Sequence, residues 1–479
     1  MKISKVILAA VAAGAQIVWA DPTLAAAPQV PGGAATVPVV WRAQDVVDAI
    51  GVSTHIGYSN TVYANTTAVI TALKYLGVTS IRDSIPDLPV NDPRLAPYNA
   101  VLSAGFGMMM VSPASMTPPG GYATIMAAMK DGLDRIVQKY PGKVLSIEGL
   151  NEPDLQNDGY IFKYEGLVGA AAVAQFQTEL YKMAKADPLL AHIPVWEFSL
   201  NSPPYNQKMY EAVYAAAPAV TKAFDVASRG VYGGVWSPEF QIQQAIANPY
   251  DIGWASNAYT FGPYQSSTQG RPEGIKETGL TSAPNGIPKL NIPDYTVQAK
   301  VLPYTLLDTL KLGSQHTNIY ELIDEAADPT NTNGSVHFGL YDSNWNPKPV
   351  ATVLHNMLGH LKDTGATAKT FTPGALTVTV AQFPMASAGT VASGLTLATQ
   401  QANGTYQILV WYEPLLWNQQ TNVEEPVPSV KPITLGLNVT CGTTSIYDPL
   451  TGTTTAGKSK VSSIPVSLPD HVVIVTCTK

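Results

Sequence analysis

From about residue 51 to residue 344, short apolar runs alternate with longer stretches whose apolar residues recur every three or four positions. The short runs predict strands: GVSTHIGY (51–58), VTSIRDSI (78–85), GFGMMMVSP (105–113), VLSIEGLNEP (144–153), IPVWEFSLN (193–201), YDIGWASNAYTF (250–261), TNIYELIDE (317–325) and VHFGLYDSN (336–344). The longer stretches predict helices over Thr67–Leu76, Tyr122–Tyr140, Leu167–Ala186, Asn206–Ala217, Asp294–Leu312 and Pro349–Leu361. Strands alternating with helices imply parallel strands joined by helical crossovers. Eight such units fit an α/β fold, the (β/α)8 TIM barrel, enlarged by insertions beyond its usual ~250 residues. The competing doubly wound sheet would carry a glycine-rich phosphate loop after its first strand, and STHIGYSNTVYANT offers none. One connection, Glu325 to Val336, has room for a loop but hardly for a helix.

After residue 362 the pattern changes period. ALTVTVAQF, GLTLATQQANGTYQILVWYEP, KPITLGLNVT, TTSIYDPLTG and SIPVSLPDHVVIVTC alternate apolar and polar residues, with Gly, Pro, Asn and Asp between runs. That texture predicts a C-terminal antiparallel β-sandwich over 363–479, with a hairpin turn at Asn403-Gly404. Cys441 and Cys477, the two cysteines of the chain, both fall in it, and in an oxidising compartment they would form a disulfide between two strands. The barrel is expected over 45–362. The segment 21–44 reads as an extended lead-in, with room to add a strand to the sandwich.

The first 20 residues read as a signal peptide: Lys2 and Lys5, an apolar stretch from Val6 to Val18, and a small-residue cleavage site at Ala20. The expected location is therefore secreted or periplasmic. The apolar stretch is short for a membrane span, so stable membrane insertion is not expected. Charged residues make up 13% of the 479, against about a quarter in typical domains, so Thr, Ser and Asn must cover much of the surface. The net charge of −7, without a basic run, argues against a nucleic-acid partner. The seven histidines show no metal-ligand spacing, and no nucleotide motif or Gly-x-Ser-x-Gly nucleophile elbow occurs, so no cofactor or metal is expected.

Chemistry in a barrel gathers at the C-terminal ends of its strands. There the pattern places His55 on the first strand, Arg82 on the second, Glu148, Asn151 and Glu152 on the fourth, Asn257 and Tyr259 on the sixth, and Glu321 on the seventh. Glu148 and Glu152 share strand parity. Two carboxylates facing each other from strands four and seven are what retaining glycoside hydrolysis requires, one as proton donor and one as nucleophile. Asp83, Asp324 and Glu325 read as loop charges, with Glu325 the fallback nucleophile if the register shifts.

IEGLNEPD (147–154) resembles the fourth-strand motif of clan A glycoside hydrolases, the family thirty-nine and family five types among them, in which Asn-Glu-Pro carries the acid/base. NIYELIDE, followed by HFGLYDSNWNPKPVATVLHNML, resembles the clan's seventh strand, eighth strand and last helix. The resemblance covers about residues 45–362. It implies Glu152 as acid/base, Glu321 as nucleophile, Asn151 on the sugar 2-hydroxyl, and Arg82 and Tyr259 holding Glu321. Asn257 stands where several families place a His. Tyr264 and Trp345 are the aromatic candidates for stacking against a sugar ring, and His55 and Glu148 support the site or a subsite.

The expectation is a secreted, retaining β-glycosidase, monomeric, acting on a polysaccharide or oligosaccharide. Insertions at 202–249 and 262–316 would wall its cleft. A transglycosylase on the same site and a non-catalytic carbohydrate-binding barrel are the alternatives.

Overall fold

The computed structural model describes residues 40–113, 122–154, 162–200, 207–230, 232, 272–290, 292–311, 314–381, 395–412, 416–418, 423–424 and 430–479. The first domain is an eight-stranded parallel barrel. Its strands are β1 (Ile50–Ser53), β2 (Ser80–Ser84), β3 (Gly107–Ser112), β4 (Val144–Leu150), β5 (Val195–Trp196), β6 (Ala227–Gly230), β7 (Glu273–Thr278) and β8 (Ser314–Ile319). The hydrogen-bonded order runs from β5 through β4, β3, β2, β1, β8 and β7 to β6. A parallel bridge between Trp196 and Val226 joins the two ends, so the sheet closes.

The six expected helices form at Thr66–Leu76, Tyr122–Lys139, Ala170–Ala186, Gln207–Ala216, Tyr295–Lys311 and Pro349–Leu361. Thr66–Leu76, for instance, buries the stripe Val69, Ala72, Leu73 and Leu76. Asn65 caps the first by accepting the Ala68 amide, and Gly77, at φ +83°, ends it in the left-handed conformation that glycine adopts freely. Two short helices, Ala43–Asp48 and Leu95–Ser103, were not expected.

The first five strands fall where the pattern placed them; the last three do not. The run 317–325 belongs to the eighth strand, since β8 pairs with β1 on one side and β7 on the other. The segment 336–344, expected as strand eight, is no strand: a 3-10 turn at Gly334–Val336 leads to isolated bridges of Tyr341 with Ile323 and Pro347. The expected sixth strand, 250–261, lies outside the described residues. Strands six and seven come instead from the two regions read as cleft-wall insertions. The short link after Glu325 therefore marks no lost helix, because the crossover between β7 and β8 is the helix Tyr295–Lys311.

The second domain is an antiparallel sandwich. One sheet runs from the strand Trp41–Arg42 through β10 (Leu395–Gln400), β11 (Tyr406–Trp411), β16 (Val473–Thr478) and β13 (Thr443–Asp448) to β14 (Thr453–Ala456). The other holds β9 (Val378–Ala381), β12 (Lys431–Cys441) and β15 (Val461–Leu468). The lead-in thus does contribute a strand: Trp41 and Arg42 pair in parallel with Thr399 and Gln400. Cys441 and Cys477 are bonded, joining β12 to β16 across the two sheets.

The larger sheet also packs on the barrel. Leu397, Leu409, Trp411 and Ile474 belong to the same buried cluster as the helix residues Leu307, Leu354 and Leu358. Trp411 Nε1 donates to Asp308 at 3.0 Å, Gln407 Nε2 to the His360 carbonyl at 2.7 Å, and Lys300 pairs with Asp470 at 2.6 Å.

Candidate active site

Strand β4 is apolar until its last residues. Glu148 is fully buried, and the guanidinium of Arg82 on β2 grips both its oxygens, Nε to Oε2 at 2.7 Å and Nη2 to Oε1 at 2.9 Å. The same guanidinium reaches Asn151 Oδ1 at 3.1 Å and Glu277 Oε1 at 2.5 Å. One buried cation therefore ties β2 to β4 and β7. Glu148 sits beneath the mouth as a partner of Arg82.

Past β4, Asn151 bridges to Ser199, and the Glu152 amide donates to the Ser199 carbonyl at 2.7 Å. Glu152 has φ +49°, in the left-handed region, and Pro153 follows it. For a non-glycine residue this costs about 1–3 kcal/mol, an arrangement that clusters where side-chain aim matters. Its carboxylate, part exposed, accepts Lys276 Nζ at 3.0 Å.

Lys276 and Glu277 on β7 are the residues the sequence reading missed. Lys276 is fully buried, and its ammonium lies 2.5 Å from Asn151 Oδ1, 3.0 Å from Glu152 and 3.6 Å from Glu277 Oε2. Glu277 takes Arg82 on one oxygen and the Tyr232 hydroxyl, 2.9 Å away, on the other. Burial alone would push its carboxyl up. The Lys276 and Arg82 charges, with the Tyr232 hydrogen bond, overcome this and hold it at about 2, against an ordinary 4.5. Tyr232, just past β6, occupies the position expected of Tyr259. It lies edge-on to Tyr320 and Phe338, with ring centroids at 6.4 and 5.6 Å.

The signal for β7 was available: EGIKET is a six-residue run before Gly279, with the carboxylate at its C-terminal end. Its adjacent Lys and Glu interrupt the apolar run, so it reads as a loop.

Glu321 requires correction. It follows β8, not the seventh strand, and its side chain is fully buried. Among the described residues no guanidinium meets it: Oε2 accepts the Tyr63 hydroxyl at 2.9 Å, and Oε1 has no hydrogen-bond partner. Burial first, then the Glu325 charge, raises its carboxyl well above the ordinary range, the opposite of what an ionised nucleophile needs. His55, after β1, stacks on Tyr58 at 4.9 Å and faces Glu325 at 3.4 Å and Glu321 at 3.7 Å. Burial, opposed by Glu277 and aided by Arg82, lowers its imidazole to about 4, so it is neutral at pH 7.

Trp345 packs on Tyr341 with ring centroids 6.2 Å apart, in a tight turn held by Asp342. Asn257, Tyr259 and Tyr264 lie outside the described residues. Asp324 is a buried partner of Lys348, at 2.8 Å, and Asp83 accepts from Thr54 and the Ile56 amide. Neither is a loop charge.

No family model matches the chain, and no curated protein sequence does. Solved structures share the fold. A GH30 endoxylanase from Clostridium papyrosolvens superposes with a TM-score of 0.53 over 93% of this chain and 98% of its own, at 11% identity. The GH39 enzyme from Xanthomonas axonopodis pv. citri gives a TM-score of 0.53 over 92% of this chain and 95% of its own, at 15% identity. At such identities the likeness is one of fold: this chain shares the barrel-plus-sandwich architecture of GH30 and GH39 glycoside hydrolases.

Proposed function

We propose that the protein is a retaining glycoside hydrolase acting on β-linked carbohydrate, with Glu152 as acid/base and Glu277, in place of Glu321, as nucleophile. The carrying observation is the pair of carboxylates at the ends of β4 and β7, both within 3.6 Å of the single Lys276 ammonium. That proximity favours the about 5–5.5 Å carboxyl spacing of double displacement over the about 6.5–9.5 Å of inversion.

In the first step an ionised Glu277 oxygen bonds to the anomeric carbon. The glycosidic bond breaks, and the departing oxygen takes the Glu152 proton. In the second step Glu152 removes a proton from water, whose oxygen attacks the anomeric carbon and releases Glu277. Arg82 and Tyr232 keep Glu277 ionised through the working pH range, and Asn151 faces the same pocket for a sugar hydroxyl. The endoxylanase of the same fold and the N-terminal signal pattern favour an extracellular polysaccharide or oligosaccharide as substrate.

The test is reducing-end release from β-linked glucans, xylans, mannans, galactans and bacterial exopolysaccharides by the wild type, Glu152→Ala, Glu277→Ala and Glu321→Ala. Activity on one polymer, abolished in the first two variants, supports the assignment. Added azide should restore turnover of an activated aryl glycoside by Glu277→Ala and yield the α-glycosyl azide, because the small anion enters from the vacated face. Full activity in Glu277→Ala with loss in Glu321→Ala would refute it. Product analysis separates hydrolysis from transglycosylation by whether water or a second sugar completes the turnover.

A further inference from the structure

Beside the carboxylate pair the barrel mouth holds a second acidic group that the proposed reaction does not use. Glu321 Oε1, Glu325 Oε1 and His55 Nε2 are buried atoms without a hydrogen-bond partner. One nitrogen or oxygen from each residue lies within 4.8 Å of the other two. His55 Nε2 stands 3.4 Å from Glu325 Oε1 and 3.7 Å from Glu321 Oε2. Three buried polar atoms without a partner, on three side chains so close together, are costly. The neighbouring cations offer no relief: Lys348 serves Asp324, while Arg82 and Lys276 serve Glu148, Glu277, Asn151 and Glu152.

We propose that His55, Glu321 and Glu325 form a divalent transition-metal site. Zinc bonds of about 2.0–2.2 Å to nitrogen and oxygen, at tetrahedral or octahedral angles, separate neighbouring ligand atoms by about 3.0–3.5 Å. The two separations from His55 lie within a few tenths of an ångström of that range, and all three ligand atoms lie within 4.8 Å of one another. An imidazole and two carboxylates suit Zn2+ or its first-row neighbours. Ca2+ and Mg2+ prefer all-oxygen shells. The second shell fits too: the Tyr63 hydroxyl donates to Glu321 Oε2 at 2.9 Å, and Tyr58 stacks on the imidazole, so two of the three ligands are already oriented. Glu321 is sealed, whereas His55 and Glu325 are 22% and 18% exposed, which leaves a coordination position facing the mouth. The ion would clamp the segment after β1 to the segment after β8, and so fix Tyr320, whose ring lies 6.0 Å from that of His55. The inference stands independently of the reaction assigned above.

The full chain, stripped with a chelator and dialysed against Zn2+, should retain one equivalent by elemental analysis. Thermal melting should rise with Zn2+ and not with Mg2+. His55→Ala and the milder Glu325→Gln should each weaken Zn2+ binding at least tenfold in calorimetry. His471→Ala, which removes another imidazole flanked by carboxylates, should leave it unchanged. No retained zinc in the folded wild type would overturn the site, as would equal binding by Glu325→Gln. In that case the two carboxylates share a proton.

Discussion

Arg82→Met is the most revealing perturbation, because one guanidinium serves three strands. It is 4% exposed, and its loss strands two buried carboxylates, Glu148 at 0% and Glu277 at 5% exposure. Breaking a buried ion pair from one side costs about 3–5 kcal/mol. Lys276 still accompanies Glu277, so the lower half of that range is expected at pH 7, with a melting temperature lower by about 10 °C. The pH dependence carries the sign. Glu277 has its carboxyl depressed from 4.5 to about 2 in the folded chain, so its stabilising contribution is fully present above pH 4.5 and is lost as pH falls toward 2. Arg82 supplies part of that depression. The penalty of Arg82→Met should therefore be full at pH 7 and clearly smaller at pH 3.5, where protonation relieves the orphaned group. Urea midpoints by tryptophan fluorescence at the two pH values make the comparison. A loss under about 1 kcal/mol at pH 7, or one equal at both, would refute the view that the guanidinium neutralises buried carboxylates.

Tyr232→Phe removes a hydrogen bond to a charged acceptor worth about 1.5–3 kcal/mol, or about one to two pH units, so the acid limb of kcat/KM should rise from near 2 to about 3–4; an unmoved limb would exclude Glu277 as the group titrating there. Gly149→Ala places a Cβ 2.6 Å from the Phe198 amide nitrogen, so β4 must shift, and activity should fall at least tenfold with a lowered melting temperature; wild-type kinetics would mean the strand end tolerates movement. Replacing Cys441 and Cys477 together opens a 36-residue loop, and the sandwich should lose about 3–4 kcal/mol in urea titration, with the reduced wild type matching the variant.

What the sequence disclosed and withheld has a physical pattern. Strand β3 was legible because its apolar run is continuous: GMMMVS is buried at every position. Asn151 and Glu152 were legible because Asn-Glu-Pro is local, three residues at one strand end. The second carboxylate was not. Glu277 is defined by Arg82, 195 positions away, and by Tyr232, 45 positions away, and neither distance leaves a trace in a short window. NIYELIDE drew attention because it is more apolar and carries more acids than EGIKET, yet a barrel ranks its strands by order. Reading one strand, 250–261, between β5 and the run 317–325, where the described residues hold two, β6 and β7, displaced the numbering by one and with it the strand on which the second carboxylate was sought. The sandwich was legible from period alone, since alternation such as that of β15 needs no distant partner.

The two-residue pairing of Trp41–Arg42 with Thr399–Gln400 has a practical consequence. Within the described residues the polypeptide leaves the sandwich sheet at Arg42, travels around the barrel and returns to the same sheet at Leu395–Gln400. A protease cutting near residue 363 would sever the covalent link without freeing either part, since the first strand still holds the sheet and Trp411, Gln407 and Asp470 hold the helices. Truncation at the same point would strip Trp41–Arg42 of its strand partner among the described residues and expose Leu307, Leu354 and Leu358 to water. The C-terminal part is a buttress built into the barrel's frame. Swapping it for another accessory module, as one exchanges tethered cartridges, should yield insoluble protein.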